Sequence, residues 1–200
     1  MVNIICVYKS GNFKQGYINA TYKPEHVLRL KKQVEENVTV PFRFYCLSDV
    51  EIEGVEVIPL TDNLKGWWSK IEIFKHFEDF LYLDLDITIL RNINELIETQ
   101  GSFIAYEDAL KKGELNSSIM RVRGNYRFIY DIFIQNKLEI MREYATNKKW
   151  GDQKFIEDCL DKFEFFDNKY FHSFLFDKKP KTNELIEIYC GNIKPWGKNG

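Results

Sequence analysis

No run of this 200-residue sequence is apolar over the ~20 residues a bilayer-spanning helix needs, so no membrane span is expected. Nor is there an internal repeat or a low-complexity linker, which excludes solenoids and tethered modules. Charge of neither sign dominates: 28 Lys and Arg stand against 30 Asp and Glu, for a net −2. The basic residues are spread along the chain, whereas a nucleic-acid binder gathers them on one face. Histidine is scarce, and His26, His76 and His172 are too scattered to pair as metal ligands. The four cysteines, Cys6, Cys46, Cys159 and Cys190, lack metal-type spacing and read as reduced thiols of a cytosolic protein. Met1 to Val7 carries neither a charged leader nor a long apolar stretch, so no signal peptide and a cytoplasmic location are expected.

What is present is material for a core. The chain is 44% hydrophobic and 16% aromatic, which excludes disorder. Val2 to Tyr8, Phe42 to Leu47, Val55 to Ile58 and Phe80 to Leu83 read as strands, short and apolar. Pro24 to Glu36 reads as a helix with a stripe at Val27, Leu28, Leu30 and Val34. Ser69 is a candidate N-cap for a helix carrying Ile71, Ile73, Phe74 and Phe77. In the second half, Phe103 to Tyr106, Ser118 to Val122 and Leu185 to Tyr189 read as strands. Tyr126 to Leu138 and Asp152 to Leu160 read as helices. Strands alternating with helices predict an α/β domain around a largely parallel sheet. Ligands of such sheets gather beyond the carboxyl ends of the strands.

Asp84 and Asp86 follow the buried strand Phe80 to Leu83 directly. Two carboxylates one residue apart can share a hard divalent cation whose shell is completed by phosphate oxygens. Two solvated acids at a strand end are the plainer alternative. Lys70 lies one short helix upstream, where it can meet phosphate or sugar oxygens or simply face solvent. Asn116, Ser117 and Ser118 offer small polar groups before a strand, suited to sugar hydroxyls or to a turn. Asp152 and Gln153 open a helix, Asp152 either as its cap or facing a ligand. Gly191 allows close backbone approach and Lys194 can neutralise a diphosphate, or the segment is a simple C-terminal turn.

In this order, these motifs resemble the GT-A glycosyltransferases of family 8. That family includes glycogenin and bacterial lipopolysaccharide galactosyltransferases; the chain is also similar to compact glycosyltransferase domains of large DNA viruses. The shared pattern is a lysine helix, an Asp-x-Asp, an Asn-Ser-Gly-type motif, an Asp-Gln pair and a closing Gly-x-x-Lys-Pro-Trp. Here these are Lys70, Asp84 with Asp86, Asn116 to Ser118, Asp152 with Gln153, and Gly191 to Trp196. The resemblance implies a single GT-A domain, Rossmann-like, with a mixed, mostly parallel central sheet flanked by helices. Residues 1–90 would form its nucleotide-binding half and 91–200 its donor-sugar and acceptor half.

The implied activity is metal-dependent transfer of a hexose from a UDP-sugar, UDP-glucose first among donors, to a hydroxyl of a glycan or protein-linked glycan, with retention. Asp84 and Asp86 would hold Mn2+ or Mg2+. Tyr8 and Tyr17 would border the uracil. Lys70, Asn116 and Ser117 would touch the donor sugar, Asp152 its hydroxyls, and Gln153 would face the reacting carbon. Gly191 and Lys194 would meet the diphosphate. The resemblance also places a metal-binding histidine where this chain has Ile188, with Glu187 and Cys190 as nearby substitutes. That departure leaves a non-catalytic nucleotide-sugar-binding module as the alternative. A metal-dependent phosphodiesterase is the other, but it gives Lys194 and Gln153 no role.

Overall fold

The computed structural model describes residues 1–15, 18–146, 148–175, 177 and 183–197, with backbone alone at 12–15 and 18–20. β1 (Val2–Tyr8) leads into a hairpin of β2 (Asn12–Gln15) and β3 (Ile18–Thr21). Helix α1 (Pro24–Asn37) follows. Pro24 supplies a helical φ at the first position, and His26 Nδ1 accepts the Lys23 N–H at 3.1 Å, satisfying one donor at the helix start. Its buried stripe is His26, Val27, Leu30 and Val34, while Leu28, expected inside, is exposed.

β4 (Phe42–Ser48) and β5 (Glu56–Pro59) come next. The helix expected from Ser69 is instead a 3-10 segment, Gly66–Glu72, running into one α-turn, α2 (Ile73–His76). Ser69 caps nothing; its hydroxyl donates to the Leu64 carbonyl at 2.9 Å. β6 (Asp79–Leu83), β7 (Ile87–Ile89), α3 (Asn94–Glu98), β8 (Phe103–Glu107) and β9 (Leu115–Arg123) follow. Asn116, Ser117 and Ser118 therefore lie inside β9, where they belong to a strand and not to a turn before it.

The helix expected over Tyr126 to Leu138 breaks at Asn136 into α4 (Arg127–Gln135) and α5 (Lys137–Tyr144). α6 (Asp152–Cys159), β10 (Glu164–Phe165), β11 (Phe171–Ser173) and β12 (Ile186–Ile188) complete the chain.

Seven strands make the central sheet in the order β10-β8-β9-β6-β1-β4-β5. β6, β1, β4 and β5 run parallel to one another; β9 is antiparallel to both β6 and β8. Side chains alternate across the sheet. Val2, Ile4, Cys6 and Tyr8 join the core shared with α1, and Ile5 faces the opposite core with α4 and α6. A smaller sheet, β11-β12-β7, pairs Ile188 with Ile87, next to Asp86. Among the described residues no helix is long and apolar enough to cross a membrane.

Candidate active site

β6 ends at Leu83, and the Asp84 N–H is anchored on the Ser118 carbonyl of β9 at 2.9 Å. The chain then bends through Leu85 and Asp86 into β7. Both aspartates open on one pocket of about 540 Å³ at the carboxyl end of β6. It also receives Lys70, Asn116, Ser117, Asp152, Gln153, Gly191 and Lys194, so those sequence candidates line one pocket.

Lys70 is buried, and its ammonium meets four oxygens. It lies 3.1 Å from Asp84, 3.2 Å from Asp152, and 2.9 and 3.2 Å from the hydroxyl and carbonyl of Ser117. Burial disfavours its charge, but the two carboxylates outweigh burial and raise its pKa. Asp152 is pushed up as well, by burial first, with Lys70 and the Ser117 hydroxyl at 2.8 Å offsetting only part. The two directions agree physically. One ammonium is divided between two carboxylates, and the trio keeps a residual negative charge.

Asp86 is held from two sides. Lys194 forms an ion pair with it, and the Tyr22 hydroxyl donates at 3.0 Å. Burial works against its charge, yet Lys194 and Tyr22 hold the carboxyl below its ordinary range. Lys194 sits on the loop after Gly191, whose φ of 62° belongs to the left-handed region that glycine enters without strain. The loop is fastened by Trp196 stacking on His26, ring centres 3.6 Å apart.

Among the described residues, four carboxylates line the pocket: Asp84, Asp86, Asp108 and Asp152. Of the three described lysines there, Lys9 is engaged 2.7 Å from Asp49, leaving Lys70 and Lys194 against the four. Among the described residues, no His, Cys, Asp or Glu joins the Asp84–Asp86 pair as a third ligand of metal-site type. Ile188 is buried in the apolar cluster behind the pocket. Glu187 is occupied by His172 at 2.9 Å and by the Tyr189 hydroxyl. Cys190 does line the pocket, its thiol pushed up to about 11 by burial.

Tyr8 is packed in the core with α1 and is not on the pocket wall; Val7, Lys9 and Gly11 take that edge. Tyr17 lies outside the described residues. Conversely, sequence reasoning missed Asp108 and Tyr22. Tyr22 lies 64 residues from Asp86 and Asp108 lies 45 from Gln153, and neither stands in a motif.

No protein-family model matches the sequence, and no curated protein matches it. The fold is nonetheless shared with solved structures: it is that of the GT-A glycosyltransferases. An active-site mutant of LgtC superposes with a TM-score of 0.67 at 14% identity, covering 99% of this chain and 90% of that one. The glycosyltransferase GlyE of Streptococcus pneumoniae TIGR4 gives 0.70 at 15% identity, over 99% of this chain and 57% of its own. A glycosyltransferase involved in glycosylation of the major capsid of PBCV-1 gives 0.57 at 16%, over 95% and 93%.

Proposed function

We propose that this chain transfers a hexose from a UDP-sugar, with UDP-glucose as first-choice donor, to a hydroxyl acceptor, and that it needs a divalent cation to do so. The observation that carries this reading is the charge of the pocket. Among the described residues four carboxylates face two lysines, both already paired with those carboxylates, so the lining repels a diphosphate and an anionic donor requires an added cation. The donor set suits Mn2+ or Mg2+: both favour carboxylate oxygens completed by phosphate, and Asp84 and Asp86 offer two such carboxylates on the pocket wall. Asp84 and Asp86 would hold the cation, whose chemistry is to offset charge on the departing diphosphate.

The remaining roles fall to the chain's own groups. Lys194 shifts from Asp86 toward the diphosphate and stabilises it as it leaves. Gly191 lets the loop backbone approach the same oxygens. Lys70 sets Asp84 and Asp152 at their separation, and Asn116, Ser117 and Asp152 border the sugar. Gln153 faces the reacting carbon. The oxygens of Asp108 and Asp152 are engaged by protein donors, which disfavours a carboxylate nucleophile and supports front-face attack with retention. The acceptor, on a glycan or protein-linked glycan, enters by the open side of the pocket.

Titration calorimetry with UDP-glucose, in EDTA and in Mn2+, tests the reading together with assay of donor hydrolysis. Binding that appears only with the cation and hydrolysis that follows it are expected. Equal affinity in both buffers removes the metal. Cation-dependent binding without turnover, on every UDP-sugar tried, leaves a binding module, the outcome Ile188 would favour.

A further inference from the structure

We propose that Asp108 is the positioning residue that turns the carbonyl oxygen of Gln153 toward the reacting carbon, an inference that rests on the glycosyl-transfer reading above. Asp108 follows β8 and is 2% exposed. Four N–H donors converge on it. Oδ1 accepts the backbone N–H of Leu110 at 2.8 Å and of Lys111 at 3.0 Å. Oδ2 accepts Asn116 Nδ2 at 3.0 Å and Gln153 Nε2 at 3.2 Å.

A carboxylate has no proton to give, so the side of each amide that faces it must be the NH2. The Gln153 carbonyl oxygen is thereby left for the pocket that Gln153 lines. That polarity matters. A glycosyl centre gains positive charge as the diphosphate departs, and a fixed carbonyl dipole stabilises it where an NH2 would repel it. Asn116 is pinned a second time, its Oδ1 accepting the Ser118 N–H at 2.9 Å. Gln153 has no such second tie among the bonds described, so its orientation depends on Asp108.

The test exchanges the polarity of the pair. Asp108→Asn keeps an oxygen for the Leu110 and Lys111 N–H groups but turns an NH2 toward both Asn116 and Gln153; Asn116 is held by its bond from Ser118, so Gln153 is the amide that flips. Turnover should fall about a hundredfold while donor affinity changes less than about threefold. Gln153→Glu alone sets a carboxylate against Asp108 and should also be slow. Its activity relative to wild type should rise as pH falls, because a shared proton restores the donor toward Asp108. That profile can be read even if Asp108→Asn folds poorly. Asp108→Asn combined with Gln153→Glu should recover at least about tenfold over either single variant, since the new amide donates to the new carboxylate.

Losses that simply multiply in the double variant, with a flat pH ratio for Gln153→Glu, overturn the proposal. The Gln153 side-chain NH2 resonance, assigned by its disappearance in Gln153→Glu, reads the same contact without activity. It should move in Asp108→Asn; an unmoved signal also overturns the positioning role. Absence of glycosyl transfer in the wild type would instead overturn the functional reading, and the resonance would still report on the contact.

Discussion

Lys194, in the C-terminal loop, forms an ion pair with Asp86, 108 residues earlier in the chain. The same carboxylate is therefore claimed by an internal cation and, on the proposed function, by a metal. Lys194→Ala should tighten Mn2+ binding in the absence of nucleotide, because Asp86 loses its counter-ion. With donor present it should slow turnover by about ten- to a hundredfold, and more than it weakens donor binding, because charge on the leaving group grows toward the transition state. Mn2+ titration followed by electron paramagnetic resonance, beside steady-state kinetics, separates the two effects. Unchanged turnover with a higher Michaelis constant would remove Lys194 from the leaving-group role.

Asp84→Asn and Asp86→Asn should each lower donor hydrolysis by at least about a hundredfold, the scale of losing a group that stabilises developing charge. Neither should unfold the chain. Asp84→Asn leaves Lys70 paired with Asp152, and the isosteric amide preserves packing. Circular dichroism and thermal melts check the fold; near-normal turnover in either variant would make the motif structural.

The part of the site written in the sequence was the part carried by local pattern. Phe80 to Leu83 is continuously apolar, so a central strand could be read, and the acids that follow it had to lie at its end. The period-two pattern of β1 also held a usable signal: Val2, Ile4, Cys6 and Tyr8 share one face, which directs Tyr8 to the helix layer. Asp108 and Tyr22 were not legible, because the site residues they hold, Gln153 and Asp86, lie 45 and 64 residues away and only the tertiary fold brings them together. The break at Asn136 was hidden as well. Apolar residues continue on both sides of it, and only backbone angles of −132° and 28° separate the two helices.

Gly151 precedes Asp152 with φ 71°, and a Cβ built there would lie 2.3 Å from Trp67 Nε1. Both the backbone and the indole oppose a side chain, so Gly151→Ala should cost about 1–3 kcal/mol and displace the start of α6. Denaturant unfolding measures the cost, and loss of donor affinity alongside it would report the displacement. A neutral substitution would mean that Trp67 has room to move.

Asp49 ties down Lys9 and Ser10 at the pocket edge, and its pKa falls to about 2. Burial alone would raise it, but the Lys9 ammonium and the Ser10 N–H and hydroxyl prevail. A folded pKa below the unfolded value means stability that is present above the ordinary carboxylate range and lost as pH falls through about 2. The contribution is modest, at most about 1 kcal/mol for a partly solvated pair. Thermal melts of wild type and Asp49→Asn should differ at pH 5 and converge toward pH 2. A difference that persists at the lowest pH would show that the carboxylate charge is not its source.

Ile188→His bears on one departure from the pattern the chain resembles, an apolar residue where that pattern has a histidine. β12 sets Ile188 opposite Ile87, the residue after Asp86, so this position lies beside the candidate cation ligands although its side chain packs in the core. An imidazole buried there without a partner should destabilise the metal-free protein by about 1–3 kcal/mol. If the ring reaches the ion between Asp84 and Asp86, it gains a ligand bond, replaces a water, and Mn2+ returns that stability. The expected outcome is a lower melting temperature without Mn2+ and a larger rise on adding Mn2+ with UDP than the wild type shows. Equal rises in the two proteins would mean that β12 runs behind the site without approaching the cation. The position of the Lys194 loop, which follows directly from that strand, would then need a different account.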